Sequence, residues 1–296
     1  MSVLIDKNSR VVIQGIAGNF GKFSARDLKA YGTQVVAGVA QGKNLKEVDG
    51  IAVFPDIRTA CRETKADAII TYVPAIVAFD AILDACEAGC KVIVYPGDGL
   101  PVQDAIEVRA AASANGAVII GPNTPGIISP GKAKLGFMPS FCFLEGRLGV
   151  ISRSGSLSYE AAFRLTSQGI GQSTVIGIGG DPVKGLNAAE AVALLHADPD
   201  TDAILYLGEI GGNDEYAVAR YAAQADAKPT AALIIGKSAP PGKKMGHAAA
   251  MVGSHADSQA AKVAALRQAN VTVADNLASL CSAAQSALAQ ATHLRK

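Results

Sequence analysis

Residues 10–22 read Arg10-Val11-Val12-Ile13-Gln14-Gly15-Ile16-Ala17-Gly18-Asn19-Phe20-Gly21-Lys22. Val11, Val12 and Ile13 form a short apolar run suited to a buried strand. Glycines then recur every third residue, and helical spacing begins at Asn19. A strand passing through a glycine turn into a helix opens a βαβ unit. Glycine there lets the backbone approach a phosphate at the positive helix N-terminus. The spacing is GxxGxxG, not the GxGxxG of common dinucleotide sites, so the same glycines also suit a tight turn alone.

The pattern repeats outward from this stretch. Strands are expected at Arg10–Gln14, Gln34–Ala40, Ile51–Phe54, Ala68–Val73, Lys91–Tyr95 and Ala117–Ile120. Helices are expected between them at Asn19–Ala30, Ile57–Thr64, Ile76–Glu87 and Val102–Ala114. Continuous apolar strands, not alternating ones, indicate a parallel sheet covered by helices on both faces. Residues 1–125 therefore read as a Rossmann-like domain. Gly121–Gly146 holds four prolines and five glycines and shows little periodicity, so a linker is expected over 126–146. The alternation restarts with strands at Arg147–Ile151, Ser173–Ile178, Ala203–Leu207, Thr230–Ile235 and Val271–Val273. Residues 147–296 read as a second α/β domain, doubly wound and flavodoxin-like, with Leu294-Arg295-Lys296 as a solvated helix end.

Composition excludes several classes. Lys and Arg total 27 and Asp and Glu 26, so no broad electrostatic grip on nucleic acid or an anionic membrane is expected. With 49% hydrophobic and 18% charged residues, the chain can bury a large core and is not disordered. Aromatics make up only 5%, leaving few stacking platforms for bases. The N-terminus does not read as a secretory leader, and no run approaches the length of a membrane span. Five scattered cysteines, with Cys86 and Cys90 four apart in an expected helix, read as reduced thiols of a cytoplasmic protein. No metal site is expected.

The glycines fall at strand ends, where open α/β sheets bind ligands. Ala17, Gly18, Asn19 and Phe20 follow the first strand. Lys43 follows the second, where an NAD site would place an acid; a lysine there suits the ribose phosphate of NADP or coenzyme A, or is simply a surface cation. Pro96-Gly97-Asp98 and Gly121-Pro122-Asn123-Thr124-Pro125-Gly126 end later strands on the same sheet edge and would extend one crevice, or merely turn the chain. In the second half, Ser154-Gly155-Ser156 follows a strand and opens a helix, either as an anion cradle or as an ordinary cap. Glu209, flanked by glycines at a strand end, needs a partner if buried. His247 lies among small residues after Lys243 and Lys244. An approachable His beside a carboxylate and anion-binding helix ends suits nucleophilic attack on phosphate.

The motifs SRSGSLSYE from Ser152, GIGGDP from Gly177, GEIGG from Gly208 and GKKMGHAAA from Gly242 together resemble the alpha subunit of succinyl-CoA synthetase and related ADP- or GDP-forming acyl-CoA ligases. GPNTPG from Gly121 adds to the resemblance, which spans nearly the whole chain. It implies that His247 is the phosphohistidine and that Glu209 orients it. Ser154, Gly155 and Ser156 would hold the phosphate. Ala17, Gly18, Asn19, Phe20, Lys43, Pro96, Gly97, Asp98, Asn123 and Pro125 would bind coenzyme A. Tyr159 would approach a small dicarboxylic acid. ATP or GTP with Mg²⁺ would bind an ATP-grasp beta subunit, because this chain has no Walker A motif, and a heterodimer or heterotetramer is implied.

Departures from the family pattern concentrate in the first half. Its usual Thr-Gly-x-x-Gly-Thr is Ala17-Gly18-Asn19-Phe20-Gly21-Lys22, with Ser24 where a His usually follows. Pro-Gly-Lys-Gly-Gly becomes Gln41-Gly42-Lys43-Asn44-Leu45. Thr-Glu-Gly becomes Gly97-Asp98-Gly99, and Thr124 replaces a Cys. A paralogue acting on malate, itaconate or another acid is one expectation. A non-catalytic CoA-binding subunit and an NADP oxidoreductase are the others; the intact His247 loop opposes the former. The latter lacks a Lys–Tyr or His–Asp pattern for hydride transfer.

Overall fold

The computed structural model describes residues 2–294. In the first half, β1 (Arg10–Gln14) leads through the glycine turn into α1 (Asn19–Tyr31), then β2 (Gln34–Val39), β3 (Glu47–Val48) and β4 (Ile51–Phe54). There follow α2 (Ile57–Thr64), β5 (Ala68–Thr71), α3 (Ala75–Glu87), β6 (Val92–Val94), α4 (Val102–Ala114) and β7 (Val118–Ile120). The sheet order is β3-β4-β2-β1-β5-β6-β7, parallel throughout except for the β3–β4 hairpin. Apolar runs such as Val11–Ile13 and Ile69–Ile70 are fully buried, as strands covered on both faces require. Glycine is needed twice in the first turn. Gly15 has φ +80°, and a Cβ on Gly21 would lie 2.3 Å from the Gly15 carbonyl oxygen, so the helix can seat directly on the turn.

The second sheet begins earlier than the sequence indicates. The stretch expected as a linker contributes β8 (Gly126–Ser129) and β9 (Ala133–Gly136), a hairpin at the sheet's edge. Next come β10 (Glu145–Ser152), α5 (Gly155–Ser167), β11 (Gln172–Gly177), α6 (Ala188–Ala197), β12 (Ala203–Glu209) and α7 (Asp214–Ala222). The chain finishes with β13 (Thr230–Ile235), α8 (Gln259–Gln268), β14 (Thr272–Ala274) and α9 (Leu280–Leu294). The order is β14-β13-β12-β10-β11-β8-β9, with β8 antiparallel to β11 and the β10–β14 set parallel. The hairpin escapes sequence reading because its strands are four residues long and one carries Lys134. That lysine is fully buried, with Nζ 2.7 Å from Asp27 of α1 and donating to the Met138 carbonyl. A buried ammonium requires such partners, and these join α1 to β9 across the two halves. One apolar cluster is continuous between the sheets, from Val11, Ile13 and Ile70 to Ile127, Ile151 and Ile176.

The expected helix through Cys86 and Cys90 ends at Glu87, and Gly89 with φ +81° turns the chain before Cys90. All five cysteines are buried free thiols, and Cys61 meets Cys90 at 3.4 Å between sulfurs. Among the described residues no helix is long and apolar enough to cross a membrane. Arg295 and Lys296 of the expected solvated tail lie outside the described residues.

Candidate functional site

Glu209 is the last residue of β12 and is only 4% exposed. Gly211 and Gly212, with φ +77° and +67°, turn the chain away immediately beyond it. His247 lies in the loop after β13, with its ring over Gly180, where a Cβ would come within 2.6 Å of the imidazole. The ring reaches back to Glu209: Nδ1 lies 3.1 Å from Oε1 and 2.9 Å from Oε2. A carboxylate only accepts, so the Nδ1 proton points to Glu209 and the neutral ring keeps its lone pair on Nε2. The Glu209 hydrogen bond raises the His247 pKa above its ordinary value, while burial and Arg153 oppose the rise. The ring remains 27% exposed, and Nδ1 is the nitrogen that Glu209 engages.

A charged bed lies beneath this pair. Arg153, 1% exposed, places Nη2 3.3 Å from Glu209 Oε1 and donates from Nη1 to the Gly211 carbonyl at 2.7 Å. Lys262 of α8 is fully buried and donates to the carbonyls of Glu209 and Gly211 and, at 2.5 Å, to Glu215. Glu215 also accepts from the Tyr206 hydroxyl and the Glu209 amide. Lys184 pairs with Asp214 at 3.0 Å. Buried charges persist only when paired in this way. The bed fixes both the backbone and the carboxylate of Glu209.

Ser154 caps α5, its hydroxyl 3.4 Å from the Leu157 amide, and half-buried Gly155 and exposed Ser156 open the first turn. Oriented N–H groups at such a helix end are of the kind that can bind an anion. Gly155 packs on Pro125, which also lies over Gly177, so the cradle abuts the GPNTPG loop. Tyr159 is half-buried one turn along, and burial pushes its hydroxyl up to about 12.

In the first domain a crevice of about 430 Å³ opens at the strand ends, between Phe20, Tyr72, Pro96, Gly97, Asp98, Asn123 and Phe137. Phe20 lies edge-on to Phe137 at 5.7 Å between centroids. Ala17, Gly18 and Asn19 form the neighbouring turn, whose first helical N–H groups have no side-chain cap. Lys43 is exposed on the loop after β2, outside that crevice lining. Asn123 joins the halves. Its amide N–H donates to the Gly97 carbonyl at 2.7 Å and its side chain to Asp181 at 2.9 Å, while its carbonyl accepts from Gly180 beneath His247. The crevice and the histidine thus share one wall.

Comparison with known proteins follows this division. The family model described as CoA binding domain matches residues 6–96, and the model described as CoA-ligase matches residues 151–273. The alpha subunit of ADP-forming succinate–CoA ligase from Aquifex aeolicus (strain VF5) is 46% identical over 282 residues, covering 95% of this chain and 92% of that one. The chain belongs to the succinate–CoA ligase alpha-subunit family. Within this family, a malate–CoA ligase alpha subunit from Methylorubrum extorquens is 42% identical, covering 98% of this chain and all of its own. A Methanosaeta concilii ATP citrate lyase shares the fold with a TM-score of 0.89 at 21% identity, over 97% of this chain. This alpha-subunit chain spans about half the length of that lyase chain.

Sequence reading missed part of the site. Tyr72 and Phe137 line the crevice without a motif to mark them. Glu215 and Lys262 carry no local signal either, because their partners lie on other elements, while Asp181 stands inside GIGGDP but is paired with Asn123 only in the fold. Arg153 stands inside SRSGS and was visible there, but its charge points away from the helix end toward Glu209.

Proposed function

We propose that this chain is the alpha subunit of an ADP- or GDP-forming dicarboxylate–CoA ligase that carries phosphoryl on His247. The observation that supports it most is the exposed imidazole held through Nδ1 by a buried glutamate. The phosphoryl of a nucleoside triphosphate transfers to Nε2, forming a P–N bond as the nucleoside diphosphate leaves. Glu209 keeps the Nδ1 proton and steadies the charge that develops on the ring. Mg²⁺ on the partner's nucleotide supplies charge neutralisation. Ser154, Gly155 and Ser156 receive the phosphoryl oxygens at the α5 N-terminus.

The acid's carboxylate then attacks phosphorus, the P–N bond breaks, and an acyl phosphate forms. Attack of the CoA thiol on the acyl carbon releases phosphate and gives the thioester. The glycine turns at residues 15–18 and 96–99 let CoA phosphates and pantetheine approach backbone closely, and Asn123 and Pro125 face the reacting end. Phe20 and Asp98 stand where the family has other residues, so CoA is held by altered contacts. Tyr159 borders the acid pocket, which an ATP-grasp beta subunit completes. Succinate is the first acid to test, and malate is the second, favoured by the full-length likeness to the malate–CoA ligase subunit.

The test is incubation with a cognate beta subunit and γ-labelled ATP or GTP. Acid-labile label on the chain, lost in His247→Ala, supports the reading. Label retained in that variant removes His247 as the carrier. Turnover with succinate and malate compared in the same complex ranks the acids.

A further inference from the structure

The neighbourhood of His247 contains an opposition that the phosphoryl chemistry has to resolve. A nucleophilic imidazole must be neutral, because an imidazolium has a proton on each nitrogen and no lone pair for phosphorus. Glu209 at 2.9 Å from Nδ1 favours the imidazolium. Asp181, across the β11–α6 loop, also favours it, though its Oδ1 accepts from Asn123. Glu215 and Asp214 add negative charge behind Glu209 and are paired with Lys262 and Lys184. Lys243 and Lys244, on the histidine's own loop, are exposed to solvent. Among the described residues, Arg153 is the Lys or Arg that reaches the Glu209 carboxylate itself.

We propose that Arg153 is a positioning residue for phosphoryl transfer: by pairing with the Glu209 oxygen that the imidazole also contacts, it stops that carboxylate from trapping His247 as an imidazolium. The inference rests on His247 being the phosphoryl carrier. Its geometry is specific. Nη2 and the imidazole Nδ1 share the same carboxylate oxygen, at 3.3 and 3.1 Å. The Nη2 approach is an ion pair without a hydrogen bond, which leaves the acceptor directions of Glu209 to the ring. Arg153 cannot swing away, because Nη1 is tied to the Gly211 carbonyl and Glu215. Its backbone amide donates to Leu207, and it directly precedes Ser154. One residue therefore sets the charge at Glu209 and the place of the phosphate cradle.

The experiment uses the alpha–beta complex with Arg153→Met, Arg153→Gln and Arg153→Lys. His247 titration is followed by NMR of the imidazole, and single-turnover phosphorylation is measured against pH. A unit charge within about 6 Å at a partly buried site moves a titration midpoint by about 1–2 pH units. In Arg153→Met the His247 midpoint and the acidic limb of the rate profile should both move up by about that much. Phosphorylation at neutral pH should fall about tenfold or more and recover at higher pH, and Arg153→Lys should restore most of it. Arg153→Gln, which keeps N–H donors, gives the same reading if the Met variant does not fold. An unmoved midpoint in a folded variant, or a loss equal at every pH, overturns the proposal. If the wild-type complex takes no label on His247, the proposed function fails, and the NMR midpoint alone still decides whether Arg153 controls the ring's charge.

Discussion

Gly180→Ala tests the Glu209–His247 geometry with a single methyl group. The new Cβ would stand 2.6 Å from His247 Cγ and 2.7 Å from Nδ1. Ordinary carbon contacts need about 3.5 Å, so the ring must retreat by close to 1 Å. The 2.9 Å bond to Glu209 would then stretch beyond hydrogen-bonding range. A hydrogen bond to a charged group contributes about 1.5–3 kcal/mol, and an ångström of misplacement costs roughly 100-fold in rate. Phosphorylation of His247 should therefore slow by about 10- to 100-fold. Stability should fall by no more than the about 1.5–3 kcal/mol of that bond, because Gly180 has no left-handed backbone to strain and Ala restricts the unfolded chain. The assay is single-turnover labelling with the beta subunit, alongside a melting curve. Adding Glu209→Gln should make Gly180→Ala no worse, since both act through one bond. A fully active Gly180→Ala enzyme, or additive losses in the double variant, would refute the geometry.

Glu209→Gln should slow phosphorylation with the fold intact, and the His247 midpoint should drop because the first cause of its elevation is gone; an unchanged midpoint by NMR counts against the pairing. The sign for stability follows: the raised folded value means this pair stabilises the chain fully below about pH 6.5 and progressively less as pH climbs through the His247 midpoint. Lys262→Met leaves Glu215 buried beside Arg153 alone and should cost about 3–5 kcal/mol, read from urea unfolding; a loss below about 1 kcal/mol would show the bed to be solvated. Phe20→Ala removes one wall of the 430 Å³ crevice and should weaken CoA binding several-fold by calorimetry while leaving His247 labelling unchanged; equal CoA affinity would place the cofactor elsewhere.

Most of the helices and parallel strands could be read from the chain because each buries a continuous apolar run. Val11–Ile13 and Ile204–Leu207 are fully covered, and such runs have no plausible alternative to the sheet interior. The β8–β9 hairpin could not be read, because its stability comes from pairing with β11 and from Lys134 meeting Asp27. Glu209 stood out as a charge against an apolar strand, and the structure gives it the imidazole that the chain chemistry demanded. Lys43 reads as a ribose-phosphate ligand or a surface cation from its place after β2, and the structure places it exposed on that loop. The charged bed is not legible as a unit, because Arg153, Glu215 and Lys262 are far apart in sequence and meet only when the end of β10, α7 and α8 come together.

The ion pair between Asp27 and Lys134 bears on any attempt to exchange halves among relatives. A graft that takes the glycine-turn half from one protein and the histidine half from another cuts the chain between these two residues wherever the junction falls. If the donor lacks an acid at the Asp27 position, the recipient keeps a buried ammonium with the Met138 carbonyl, the Ser140 hydroxyl and the face of the Tyr31 ring but no counter-charge. Chimeras built to alter acid or CoA preference therefore have to carry residues 27 and 134 as a matched pair. A graft that ignores them would lose stability before any question of specificity could be asked.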